Sequence, residues 1–273
     1  MAYKTILVHA DGTPGVTGRV RLAAALARES HACLVGAVAR LPAPFVNLDV
    51  NGSVLASVAI SGGGEGNAAA ASFDSLHAIF QNASVEFGLE TGWRAVVDNP
   101  ATALANMAAM ADLVVCGRPD ESDIGMAVDD LIMKAGRPVL VIPDGCETLK
   151  WGHTVIAWKN TREARRVLSD ALPLLARSAA VTLLHIRESD GDDDDVLNEP
   201  LEFLAHHGIE GNGKVLPFVH RNVADQLLHQ VNMPMTDLLV LGAFGHSRAR
   251  EWIFGGVTAD LLDHCSVPCL FSQ

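Results

Sequence analysis

The chain repeats itself. ADLVVCG at 111–117 is matched by TDLLVLG at 236–242, and DLIMKAGRPVLV at 130–141 by DLLDHCSVPCLF at 260–271. TILVHAD at 5–11 is matched by TVIAWKN at 154–160, so the three pairs keep one order along the chain. Short aliphatic runs that end at a glycine read as strands buried on both faces, which belong to parallel sheets. The Ala- and Leu-rich segments between them carry helical spacing. Strand and helix in alternation, given twice, predict an α/β protein with two tandem doubly wound parallel-sheet domains. A length of 273 residues suits two domains. Their bounds are expected at 1–146 and 151–273, with Asp144-Gly145 in the linker between them.

In chain order the pattern predicts strands at 5–10, 32–39, 93–97, 113–116 and 138–142, then at 154–158, 181–186, 215–219, 238–241 and 268–271. Helices are expected over 16–28, 68–87, 100–110, 161–177 (broken near Pro173), 197–207 and 223–231, with another starting at Leu261. The 40–67 stretch, with its two prolines and SGGGEG, reads as a mobile segment or lid in which residues 54–60 could dock as a short helix. In open parallel sheets ligands sit beyond the carboxyl ends of the strands, where Asp11, Gly117, Lys159 and Gly242 all fall.

The glycines after 238–241 sharpen that expectation. Gly242 is followed after two residues by Gly245 and, nine residues later, by Gly255 and Gly256, with Val257, Thr258 and a helix behind them. Glycine lets a backbone approach a phosphate, and the unpaired N–H groups of a helix start point at it. The spacing fits neither a Walker loop nor a dinucleotide fingerprint. It resembles the nucleotide loop of the universal stress protein family, whose ATP-binding members carry G-x2-G-x9-G-[S/T]; here Gly256 stands where that pattern has Ser or Thr.

The resemblance covers nearly the whole chain as two copies, and it implies an adenine-nucleotide-binding type of fold whose halves pair through their last strands about a pseudo-twofold. It also implies one ATP in the second half, its Mg²⁺ carried by the nucleotide. The site would comprise Gly242, Gly245, His246, Arg248, Gly255, Gly256, Val257 and Thr258, with Lys159 after the first strand and Ile186 closing the second. In the first half the loop is five residues shorter and carries Asp120, Glu121 and Asp123. That half keeps Asp11, where nucleotide-binding relatives place an Asp toward the ribose; the second half has Lys159 there, beside Trp158. Two classes of function stand open: a stress-response protein that binds ATP and at most hydrolyses it slowly, or a nucleotide-free interaction or scaffold protein.

A net charge of −12 lacks the basic field that nucleic acid or an anionic membrane requires. No run reaches the roughly 18 apolar residues of a membrane span. Five scattered cysteines suggest a reducing compartment, the cytoplasm. Cys265 and Cys269 have no second Cys/His pair at zinc spacing, so no metal site is expected. Gly245-His246-Ser247 lacks the second glycine of a nucleophile elbow. The acidic run at 190–195 lacks the Gly and terminal Glu of a Ca²⁺ loop, and no catalytic set can be assembled. Further homodimerisation is compatible with the fused pair, and protein partners are not legible.

Overall fold

The computed structural model describes residues 2–42, 45–48, 54–57, 65–119, 126–187, 195–219, 221–232, 236–244 and 256–273. Its first half runs β1 (Thr5–His9), α1 (Val16–Ser30), β2 (Cys33–Arg40), β3 (Phe45–Leu48), β4 (Val54–Ser57), α2 (Glu65–Ser84), β5 (Thr91–Val97), α3 (Pro100–Met107), β6 (Leu113–Gly117), α4 (Val128–Lys134) and β7 (Val139–Ile142). The second half runs β8 (His153–Ala157), α5 (Arg162–Asp170), α6 (Leu172–Leu175), β9 (Ala180–Arg187), α7 (Asn198–His206), β10 (Gly211–Pro217), α8 (Val223–Val231), β11 (Leu238–Gly242), α9 (Val257–His264) and β12 (Cys269–Ser272).

Ten of these strands form one sheet, in the order β10-β9-β8-β11-β12-β7-β6-β1-β2-β5. Within each half of this sheet every pairing is parallel, and the two halves show the same strand order read outward from the junction. At the junction β12 meets β7 antiparallel, with Cys269 opposite Val141 and Phe271 opposite Val139. An antiparallel join between two like five-stranded units is what a pseudo-twofold axis produces. The pairing through the last strands is therefore observed, as one mixed sheet rather than two separate ones.

Aliphatic residues explain why both faces are covered. Along β1, Ile6 and Val8 pack under α1, while Leu7 packs on the opposite face with residues of α3 and α4. Along β11, Leu238 and Val240 belong to the face of α5 and α6, and Leu239 and Leu241 to that of α8 and α9. Alternation that sends an apolar side chain both ways leaves no polar face, as a doubly wound sheet requires. Side contacts cross the junction as well: the Tyr3 hydroxyl donates to the Asp170 carbonyl at 2.8 Å, and Arg166 to the Gly136 carbonyl at 2.8 Å.

Three expectations need correction. The match of Thr5 with Thr154 is off by one. Asp112 N–H meets the Thr5 carbonyl as Asp237 N–H meets that of His153. The Asp112 carboxylate accepts from the N–H groups of Lys4 and Thr5 as that of Asp237 does from Gly152 and His153. Thr5 thus corresponds to His153 and Ala10 to Trp158, in keeping with the placement of Lys159 at the position of Asp11. Strands buried on both faces do not show their register in hydrophobicity alone. Second, Val54–Ser57, expected in a short helix, is a strand that pairs antiparallel with Phe45–Leu48; the remainder of 54–60, like the Ser61 to Gly64 glycine run, lies outside the described residues. Third, the edge strand expected at 215–219 begins at Gly211, where Gly211 and Gly213 leave room for Leu201, Leu204 and Leu197 beneath them. The helix expected over 161–177 is broken as foreseen, at Ala171 just before Pro173.

Candidate functional site

Beyond the carboxyl ends of β8, β9 and β11 lies a cavity of about 410 Å³, within the range of small-molecule sites. Its floor is Ala157, Leu184, Ile186 and Leu241, and Val223, Leu227 and Val257 close the side toward α8 and α9. The polar groups stand on its rim: Lys159, Thr161, Gly256 and Thr258. Three helices begin there. Thr161 caps α5, its hydroxyl accepting from Ala164 N–H at 3.3 Å. Val223 is the first residue of α8, and Gly256 is the N-cap of α9 without a side chain to cap it. Partial positive charge from helix starts and the ammonium of Lys159 therefore surround an otherwise apolar slot. Asp260, the acidic residue in the first turn of α9, lines an adjoining groove with Arg221 instead.

Of the residues singled out in the sequence, Lys159, Ile186, Gly242, Gly256, Val257 and Thr258 line this cavity. Gly245, His246, Arg248 and Gly255 lie outside the described residues, as do Asp120, Glu121, Asp123 and most of the acidic run at 190–195. Gly242 has a packing reason to be glycine. A Cβ there would lie 2.5 Å from the Ala164 nitrogen and 2.6 Å from the Glu163 carbonyl carbon. The missing side chain admits the first turn of α5, which forms one wall. His185 does not face the slot's ligand side; its Nδ1 lies 3.0 Å from the Trp158 carbonyl.

Ala157, Thr161, Val223, Leu227 and Phe244 were not foreseen. Phe244 holds φ at 58°, a left-handed conformation that costs a non-glycine residue about 1–2 kcal/mol, and it lies on the cavity wall. Ala157 is the decisive one, because the register makes it the counterpart of His9. A small side chain leaves the slot open in the second half, whereas an imidazole fills its place in the first.

The first-half counterpart is closed by ionic contacts. Asp11 pairs with the Arg19 guanidinium, its Oδ2 lies 3.4 Å from His9 Nδ1, and its Oδ1 accepts from Thr13 N–H at 2.9 Å. Arg19 Nε donates to the His9 carbonyl at 3.0 Å. All four residues are buried. Gly117, the partner of Gly242, leaves room for the same guanidinium. Burial works to raise the Asp11 carboxyl, but Arg19, His9 and the Thr13 hydrogen bonds outweigh it and hold it below its ordinary 3.8. Burial pushes His9 down from 6.5 to about 4, with Asp11 pulling the other way and Arg19 adding to the depression.

A pH dependence follows. Below 6.5 the unfolded chain takes up a proton at His9 that the folded chain refuses until about 4. Stability is therefore expected to fall as pH drops through that window, by about 3 kcal/mol at full extent. Urea melts at intervals between pH 7 and 4 should show the slope, and His9→Gln should flatten it; an unchanged slope would remove His9 as its source.

Among the described residues no group of His, Cys, Asp or Glu could hold a metal, and no helix is long and apolar enough to cross a membrane. No family model matches the sequence, and no curated protein matches it. Solved structures do. A universal stress protein from Archaeoglobus fulgidus aligns over 98% of this chain and 96% of its own, at 12% identity and a TM-score of 0.76. A functionally unknown protein from Pseudomonas aeruginosa aligns over 99% and 92%, at 15% identity and a TM-score of 0.60. A third chain, also from Pseudomonas aeruginosa and assigned to the universal stress proteins, aligns over 99% and 93%, at 17% and 0.59. The class defined by these likenesses is one of fold: the chain has the universal stress protein fold, with both halves covered by the alignment.

Proposed function

We propose that the chain is a cytoplasmic stress-response protein of the universal stress protein type, which holds one adenine nucleotide, ATP, in its second half. The observation that carries this reading is the asymmetry of the two strand-end sites. One is an apolar slot with a rim of helix starts and Lys159; the other is filled by His9, Asp11 and Arg19. An aromatic base suits the walls of Ile186, Leu184 and Leu227, and phosphates suit the N–H groups of Gly256 and Val257 with Thr258 beside them. Gly245, His246, Arg248 and Gly255 complete the phosphate side in this reading, and Mg²⁺ comes with the nucleotide. No catalytic set accompanies the slot, so binding without robust turnover is the function proposed.

Gly256 supports the alternative, a nucleotide-free interaction or scaffold protein, because it removes a hydroxyl donor to phosphate worth roughly 1.5–3 kcal/mol. Its backbone is extended, with φ at −155°, a conformation that serine adopts without strain. Gly256→Ser is expected to tighten ATP by about one to two powers of ten, and Gly245→Val to abolish binding. Calorimetric titration of MgATP into the wild-type chain and the variants checks both; no heat of binding in any of the three would favour the scaffold reading, and unchanged affinity in Gly245→Val would refute the assigned site.

A further inference from the structure

The strand order of the second half bears on where the parts of a nucleotide fall in the slot. β8 lies between β9 and β11. The apolar walls that suit a base, Leu184 and Ile186, belong to β9. The backbone N–H groups that suit a 5′-phosphate come after β11, at the start of α9. A sugar joins base to 5′-phosphate, so it spans the carboxyl end of β8. Ala157 leaves room for it there, and Lys159 stands on the rim beside it.

Backbone bonds hold Lys159 at that place. Ahead of it, Trp158 N–H donates to the Leu184 carbonyl at 2.8 Å, and His185 Nδ1 lies 3.0 Å from the Trp158 carbonyl. Behind it, Thr161 N–H donates to the Lys159 carbonyl at 2.6 Å, a tight turn that leads into α5. The lysine itself is exposed. Among the described residues that line the cavity it alone is charged, and no carboxylate joins it. Glu163, in the first turn of α5, is not part of that lining; its Oε1 accepts from Arg162 Nε at 3.0 Å.

The chemistry of the side chain then says what the sugar carries. An ammonium has three donors and no acceptor, so it cannot take the protons of ribose hydroxyls. A carboxylate does that, and a cation in its place favours a phosphate on the sugar, as in dinucleotide folds. Asp11 stands at the matching register position of the first half, but it is buried and paired with Arg19. Neither position offers a carboxylate to a sugar.

We propose that the slot is selective for adenine nucleotides that carry a second phosphate, on the ribose 2′- or 3′-oxygen, and that Lys159 recognises it. The proposal rests on the reading that the slot holds an adenine nucleotide, and it adds the feature by which one such nucleotide is told from another. Gly256 and Val257 serve the 5′-phosphate, and the Lys159 ammonium forms charge-assisted hydrogen bonds to the sugar phosphate.

The test is calorimetric titration of the full chain with AMP, ADP, adenosine 3′,5′-bisphosphate and adenosine 2′,5′-bisphosphate. ADP and the bisphosphates carry equal numbers of phosphates and differ in where the second one sits. At least one bisphosphate is expected to bind tighter than ADP, and tighter than AMP by about tenfold or more. Lys159→Gln should remove that gain while weakening ADP by less than about threefold, and Lys159→Asp should turn the gain into a penalty. Because Lys159 is exposed, both variants are expected to melt with the wild type. If AMP and ADP bind but neither bisphosphate gains on AMP, the sugar-phosphate proposal is overturned and the adenine-nucleotide reading stands. A gain that survives in Lys159→Gln, or an equal loss for ADP, would overturn the role of Lys159. Absence of binding for every nucleotide would overturn the proposal together with the reading on which it rests.

Discussion

Replacing Arg19 by alanine is expected to cost about 3–5 kcal/mol of stability. Asp11 would be left buried without its main partner, and the Nε bond to the His9 carbonyl would be lost. The size of the effect comes from stranding the carboxylate, not from the strength of the pair. Replacing both members with apolar residues, Asp11→Leu with Arg19→Met, is accordingly expected to cost less than Arg19→Ala alone. The sign with pH is fixed by the depressed Asp11 carboxyl: its contribution is present above 3.8 and is lost as pH falls further, through the lower folded value. Urea denaturation at pH 7 and near pH 3 measures both terms. A single-variant cost under 1 kcal/mol at pH 7 would show that the ion pair does not hold the first-half site shut.

Gly242→Ala is the second large effect. The added carbon would lie 2.5–2.6 Å from backbone atoms of Glu163 and Ala164, which cannot swing aside as the end of a side chain could. Either α5 or the end of β11 must shift, at a cost of about 3 kcal/mol, and the wall of the slot moves with it. Gly92→Ala is the matched comparison, since its nearest neighbour is Val35 Cγ2 at an ordinary 3.5 Å. That substitution should be neutral or slightly stabilising. Equal midpoints for the two variants in a thermal or urea melt would mean that α5 is not wedged against Gly242.

Much of this arrangement was legible in the residues. The pair ADLVVCG and TDLLVLG is in register because each Asp, at 112 and 237, performs the same backbone bonding and each glycine admits a neighbour from the covering helix. The last strands could be matched because each follows a helix and is apolar, Val139–Ile142 throughout and Cys269–Ser272 up to its final serine. The first-strand match slipped by one residue, since Thr5 and Thr154 look alike while both faces of the strand are buried and hydrophobicity carries no phase. The openness of the second site was less visible. It depends on Ala157 standing opposite His9, a relation that only the corrected register exposes. Glycine spacing pointed to the end of β11, beside which the cavity lies, and packing against α5 accounts for Gly242. The Phe45–Leu48 and Val54–Ser57 hairpin was missed because its strands have four residues each, too few to show a period.

One strand-end site is open and the other is filled by His9, Asp11 and Arg19, and binding stoichiometry reads the difference. MgATP titrated calorimetrically into the wild-type chain is expected to bind at one site per chain. In Ala157→Phe, which places a ring where the first half carries His9, that binding should fall by at least about a hundredfold, while the melting midpoint shifts by only a few degrees. Two sites per chain, or ATP held as tightly by Ala157→Phe as by the wild type, would contradict the account.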